Sequence, residues 1–158
     1  MKQYIQPFIE VCKNVFKDFV GMELEVRVPF FLERDKQTDW DISGIIGFTG
    51  EARGAVVISM KQPMAVKLTA VLTGSEHTTV DDDVVDAVGE LINIIAGNVK
   101  QELEDAFRLV ISLPTIIRGK EHTLVWPDNK ARVICIPFAI SDVDSFTLSI
   151  ALESVKGE

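Results

Sequence analysis

Residues Thr79 to Phe107 read TVDDDVVDAVGELINIIAGNVKQELEDAF. Val84, Val88, Leu91, Ile95, Val99, Leu103 and Ala106 recur every three or four positions, so at about 100° per residue they fall in one apolar stripe. The spacing predicts a long helix with one buried face. On the opposite side Asp86, Glu90, Asn93 and Gly97 form a second, narrow stripe of two carboxylates, one carboxamide and one residue without a side chain. Thr79 is the expected N-cap, with Asp82 at the capping-box position and Asp81 to Asp83 near the positive end of the helix dipole.

The chain around this helix has 158 residues, 47% of them hydrophobic, which is enough to form one domain over residues 1–158 without staples. Cys12 and Cys135 lie in apolar surroundings with no Cys or His at metal-ligand spacing, and read as buried thiols in a reducing compartment. The N-terminal residues lack the basic-then-apolar pattern of an export signal, and no run of about 18 apolar residues occurs, so a cytoplasmic protein is expected. A net charge of −8 disfavours phosphate backbones and anionic membranes, so neither nucleic acid nor membrane insertion is expected.

Taken in order, Ile5, Phe8, Ile9, Cys12, Val15, Phe16 and Phe19 predict a first helix over residues 3–19, closed by Gly21. Met22 to Val28 alternates as a strand that Pro29 ends or confines to an edge. Glu33 to Asp41 is a predicted loop. Ile42 to Thr49 and Ala55 to Met60 are strands joined through Gly50 to Gly54, and Pro63 to Leu72 is a short helix stopped by Gly74. After the long helix come three strands, Leu109 to Ile117, Ala131 to Ile140 and Phe146 to Leu152, with a turn at Ser141 to Ser145. The fold class is mixed α/β (α+β). Two helix-plus-three-strand units form one continuous sheet with helices packed against it.

The polar stripe has a plain reading as the solvated face of an amphipathic helix. Asn93 and the interior glycines Gly89 and Gly97 argue otherwise, since each glycine costs roughly 1 kcal/mol relative to Ala and Asn is a poor residue for an exposed helix interior. A glycine on the stripe lets another surface come close. A rigid carboxamide can donate to one atom while accepting from a water, which is the geometry for positioning a nucleophile.

The arrangement Asp86-x3-Glu90-x2-Asn93, followed by Pro114 in Ser112-Leu113-Pro114, resembles the signature of the CheC/CheX/FliY family of CheY-phosphate phosphatases. The resemblance covers essentially the whole chain and implies a CheC-like fold. It further implies a protein that binds the phosphorylated response regulator CheY and hydrolyses its aspartyl phosphate. Asn93 then orients the attacking water, and Glu90 binds a lysine of the regulator. Asp86, Gly97 and Pro114 are the partner-facing or shaping positions. Mg²⁺ and the phosphorylated aspartate belong to the substrate protein, so the resemblance implies no metal or cofactor of the chain's own. In the first unit Glu10 is followed three residues later by Lys13 rather than Asn, so one site per chain is expected. One-site members of the family are dimers, which implies a homodimer. The alternative is a noncatalytic regulator-binding or flagellar-switch module of the same fold, for which the intact Glu90 and Asn93 pair has no chemical use.

Other residues yield no site. Adjacent carboxylates in Asp81-Asp82-Asp83 point about 100° apart on a helix and are read as dipole partners. His77 and His122 are expected at the surface, with no nucleophile motif beside them. No phosphate-binding glycine loop is present, and Trp40 and Trp126 are assigned to packing.

Overall fold

The computed structural model describes residues 2–33, 39–126 and 132–155. Helix α1 spans Lys2–Val15 and continues into a π-helical turn, Phe16–Val20. Strands β1 (Glu25–Val26), β2 (Phe30–Phe31), β3 (Trp40–Gly50) and β4 (Ala52–Met60) follow, then helix α2 (Gln62–Thr73) and helix α3 (Asp82–Glu102). The chain ends with β5 (Leu109–Ile111), β6 (Thr115–His122), β7 (Ile134–Ala139) and β8 (Ser145–Ser154). All the strands pair antiparallel in a single sheet, in the order β1-β7-β8-β4-β3-β5, with β2 also on β7 and β6 also on β3.

That order carries the expected two-unit architecture. Each unit has a hairpin, β3–β4 or β7–β8, and the second strands of the hairpins, β4 and β8, meet at the centre from Ala52↔Ser154 to Met60↔Phe146. The first strand of each unit crosses to the other: β1 and β2 pair with β7, while β5 and β6 pair with β3. The units therefore exchange edges, so neither can bury its sheet without the other.

Gly44 on β3 sets how closely α3 sits, because a Cβ there would lie 3.2 Å from Ile92 and 3.3 Å from Val88 and Ile116. A Cβ on Gly89 would lie 3.5 Å from Ile116, an ordinary contact, so Gly89 belongs to the sheet-facing side of α3 rather than to the exposed stripe. Val84, Val88, Leu91, Ile92, Ile95 and Val99 are all at most 2% exposed beneath the helix. At about 1.5–3 kcal/mol per buried large side chain, this face outweighs the roughly 1 kcal/mol penalty of each glycine. Helix α1 covers the same sheet face, stacking Phe16 on Phe146 at 4.7 Å and setting Phe8 edge-on to Phe48 at 6.3 Å.

Several boundaries differ from the sequence reading, each for a local reason. The apolar stripe of α1 places Phe19 inside, yet Phe19 is 57% exposed and Val20 is 3% exposed. The π turn accommodates one extra residue, so the buried position passes from residue 19 to residue 20 before Gly21 ends the helix in a left-handed conformation. Ala106 lies beyond the end of α3 and is exposed.

The N-cap is Asp81 rather than Thr79: its Oδ1 accepts from Val84 N at 3.0 Å, whereas Thr79 contributes only its carbonyl, to Asp81 N. Asp82 is thus a first-turn residue with no capping-box partner. The strand foreseen from Met22 to Val28 pairs regularly only at Glu25–Val26 and resumes after Pro29. The run from Leu109 to Ile117 is two strands, since Ser112 interrupts the ladder by accepting from Gly47 N through its hydroxyl. Of the predicted loop and of the predicted start of the Ala131 strand, residues 34–38 and 131 lie outside the described residues.

Candidate functional site

The site is built on α3, whose start is fixed more firmly than its sequence suggests. His77 bridges the preceding turn, with Nδ1 2.8 Å from Asp81 Oδ2 and Nε2 3.2 Å from Thr73 Oγ1 at the end of α2. Its side chain is 6% exposed, so it is not a surface residue. The bond to His77 and that from the Val84 amide hold the Asp81 carboxyl below the usual aspartate range. Asp83 also lies near this pair, with one ligand-type atom of each of the three residues within 4.8 Å of the others, but both nitrogens of His77 are already engaged, Nδ1 by Asp81 and Nε2 by Thr73. Arg118 of β6 ties down the same end through Asp82 at 2.9 Å.

Asp86, Glu90 and Asn93 are exposed on one face, and Gly97 is half-buried. The structure therefore brings the four stripe residues together as the helical spacing requires. Asp86, Glu90 and Asn93 make no hydrogen bond or ion pair among the described residues. The contrast with Asn98 is informative, because its amide is spent on Ile94 O at 3.0 Å. A Cβ on Gly97 would meet nothing within 4 Å, so no neighbour among the described residues requires glycine there.

Pro114 lies between β5 and β6, where the chain passes from one ladder on β3 to the other. Ser112 Oγ closes this break by donating to Leu113 O, and Leu113 is left 86% exposed.

Beside the stripe runs a groove of about 260 Å³ that sequence reasoning missed. Asp83, Asp86, Glu90 and Ile94 form its α3 wall, while Phe19 from the end of α1 and Leu72 from the end of α2 close it. Asp86 and Glu90 belong to both features; Asn93 and Gly97 lie outside the groove. The sequence held no signal for Phe19, because Phe19 and Val20 are both apolar and only the π turn decides which one turns outward.

The far face of the sheet holds the other polar cluster. Ser43 Oγ lies 2.8 Å from Ser59 Oγ and 2.9 Å from His122 Nε2, and His122 Nδ1 reaches Gly119 O at 2.7 Å. His122 is therefore a half-buried partner of β3 rather than a surface residue. Ser43 is 0% exposed, which keeps this trio structural. Cys12 and Cys135 are free and buried, and burial pushes both thiols up. Trp126 packs on Val133, Cys135 and Ala151 as a packing residue should.

One edge-exchanged antiparallel sheet, three helices over its face and a free Glu-x2-Asn pair on the longest helix define a CheC-like protein. The family model described as chemotaxis phosphatase CheX matches residues 42–139, and the chain belongs to that family. The CheY-P phosphatase CheX of Thermotoga maritima is 27% identical over 143 residues, covering 89% of this chain and 90% of that protein. The chemotaxis protein CheX of Vibrio vulnificus superposes with a TM-score of 0.85 at 27% identity, covering 96% of this chain and 99% of that one. The CheX of Borrelia burgdorferi, solved as a CheX-CheY-BeF3-Mg²⁺ complex, gives 0.82 at 25% identity and covers 96% and 98%. No helix among the described residues is long and apolar enough to cross a membrane.

Proposed function

We propose that this chain docks on a phosphorylated CheY-type receiver domain and accelerates hydrolysis of its aspartyl phosphate. The observation that carries the reading is the exposed, unengaged Glu90 and Asn93 pair on a rigid, capped helix. Family membership and the activity named for the Thermotoga relative support it.

In the reaction a water oxygen attacks phosphorus, the bond to the aspartyl oxygen breaks, and inorganic phosphate and a free carboxylate result. Such loose phosphoryl transfer asks mainly for positioning and charge stabilisation. The Asn93 carboxamide accepts a hydrogen bond from the water through its oxygen and has an N–H left to donate to a phosphoryl oxygen. Glu90, one turn away, pairs with a lysine of the receiver and fixes that geometry. Asp86 supports the contact, and Gly97 leaves room for the partner's backbone. Pro114 shapes the edge strand and is assigned to the partner-facing surface. Mg²⁺ enters with the receiver as part of the substrate. The working unit is assigned as a cytoplasmic homodimer with two equivalent sites, which sedimentation of the purified protein tests.

The assay is phosphate loss from a Mg²⁺-loaded, phosphorylated receiver, with and without the protein. Acceleration is expected, and an unchanged rate refutes the reading. Glu90→Ala should raise KM and recover partly at high receiver concentration, whereas Asn93→Ala should lower kcat and not recover. Equal behaviour of the two variants would sink the division of roles.

A further inference from the structure

The groove beside the stripe is unexplained by the reaction itself. Phe19 is 57% exposed and Leu72 38% exposed, and both line a channel whose α3 side carries Asp83, Asp86 and Glu90. Phe19 is outward only because α1 ends in a π turn, a rare geometry that concentrates at functional sites. Asp83, Asp86 and Glu90 follow one another at single-turn spacing and make no ion pair among the described residues, so like charges line one side of the helix. An apolar floor with an acidic wall fits a lysine or arginine whose aliphatic stem lies on the aromatic ring and whose charge reaches the carboxylates.

We infer that this groove is a second recognition site for the receiver. It takes a segment in which an apolar side chain lies against Phe19 and Leu72 and a neighbouring lysine or arginine sits between Asp83 and Asp86. The inference rests on the receiver reading above and assigns partner choice to residues outside the catalytic pair. Two observations select this occupant. The groove shares Glu90 and Asp86 with the docking stripe, so whatever seats Asn93 also covers the groove. The chain carries a net charge of −8, so a second copy of it would arrive with the wrong sign, whereas a basic segment is drawn in.

The test uses the full chain with Phe19→Ser and, separately, Asp83→Asn, neither of which removes a buried side chain. Both should keep the wild-type kcat and a cooperative melt, with Asp83→Asn costing at most the small dipole contribution of a first-turn carboxylate, while KM rises about tenfold for Phe19→Ser, the loss expected of an interface anchor. Asp83→Asn should raise KM less and flatten the fall of kcat/KM with added salt. Unchanged KM and salt dependence in both variants, with Asn93→Ala still inactive, overturns the groove and leaves the phosphatase reading standing. A lowered kcat at constant KM also overturns it, since Phe19 would then act by holding α3. If Phe19→Ser instead dissociates a dimer without altering KM, the occupant is a second copy and the inference fails. A wild-type chain that does not accelerate phosphate loss removes both readings at once.

Discussion

Helices α1 and α3 occupy matching places in the two units, each laying an apolar stripe on the same face of a sheet whose edges the units exchange. Their polar sides differ. On α1 the pair position holds Glu10 and Lys13, and the Glu10 carboxylate accepts from Gln6 Nε2 at 3.3 Å. On α3 it holds Glu90 and Asn93, both exposed and unengaged among the described residues. The starts differ as well, since α3 has Asp82 and Asp83 in its first turn behind the Asp81 cap, and α1 has no acidic residue there. The backbone and the core are thus set by residues the units share in kind, and the proposed chemistry is assigned to a few exposed groups on one of them. The first unit is not idle, because the end of α1 delivers Phe19 to the groove beside the other unit's pair.

The largest effect that can break this comparison is at Asn93. Asn93→Ala should lower the rate of receiver dephosphorylation by about 100-fold or more, the usual scale for losing a positioned reacting group, with an unchanged melting curve. Lys13→Asn in that background rebuilds Glu-x2-Asn on α1 and should restore nothing. Recovery of activity would mean that the pair alone suffices and that the surroundings of α3 contribute little.

How far the sequence discloses this depends on the length scale of the signal. The face of α3 was legible because its apolar period runs through the whole helix, and the free pair followed from the same geometry. The two-unit sheet was legible from strand alternation, although the exchange of edges was not, because pairing partners leave no mark in a single strand. The misplaced details were all decided by one contact from elsewhere in the chain. Thr79 and Asp81 are both capping residues, and His77 selects the second. Nothing in Leu109 to Ile117 announces that Ser112 would replace a backbone partner of Gly47. His122 looked solvated because Ser43, which holds it, lies on a strand far away in the sequence. Phe19 depended on a single extra residue in one turn.

Stability effects sharpen the comparison next. Gly44→Ala would press a methyl to within 3.2–3.3 Å of Ile92, Val88 and Ile116, and should destabilise the protein by about 1–3 kcal/mol in urea melts. The displaced helix should carry Asn93 with it, so kcat falls too, which separates α3 from a merely decorative surface. Gly97→Ala has the opposite sign for the fold. Its Cβ enters open space, so helix stability should rise by about 1 kcal/mol, while KM increases under the proposed docking, in which that space takes the partner's backbone. A stabilised variant with unchanged KM would show that Gly97 lies outside the docking surface.

The smallest expected effect concerns the Asp81 cap of α3. The Asp81 carboxyl is held below its ordinary value by the bonds from His77 and the Val84 amide. A group with a depressed folded pKa contributes stability that is fully present above its unfolded value, about 3.9, and is lost as pH falls through the folded one. Asp81→Asn keeps a side-chain oxygen for Val84 N and removes the titration. The melting temperature of the wild type should therefore exceed that of Asp81→Asn at about pH 6, and the gap should close as the pH falls below about 4. A gap that is constant over this range would mean that the bond to His77 owes nothing to the charge of Asp81. The Asp81 cap would then act through hydrogen-bond geometry alone.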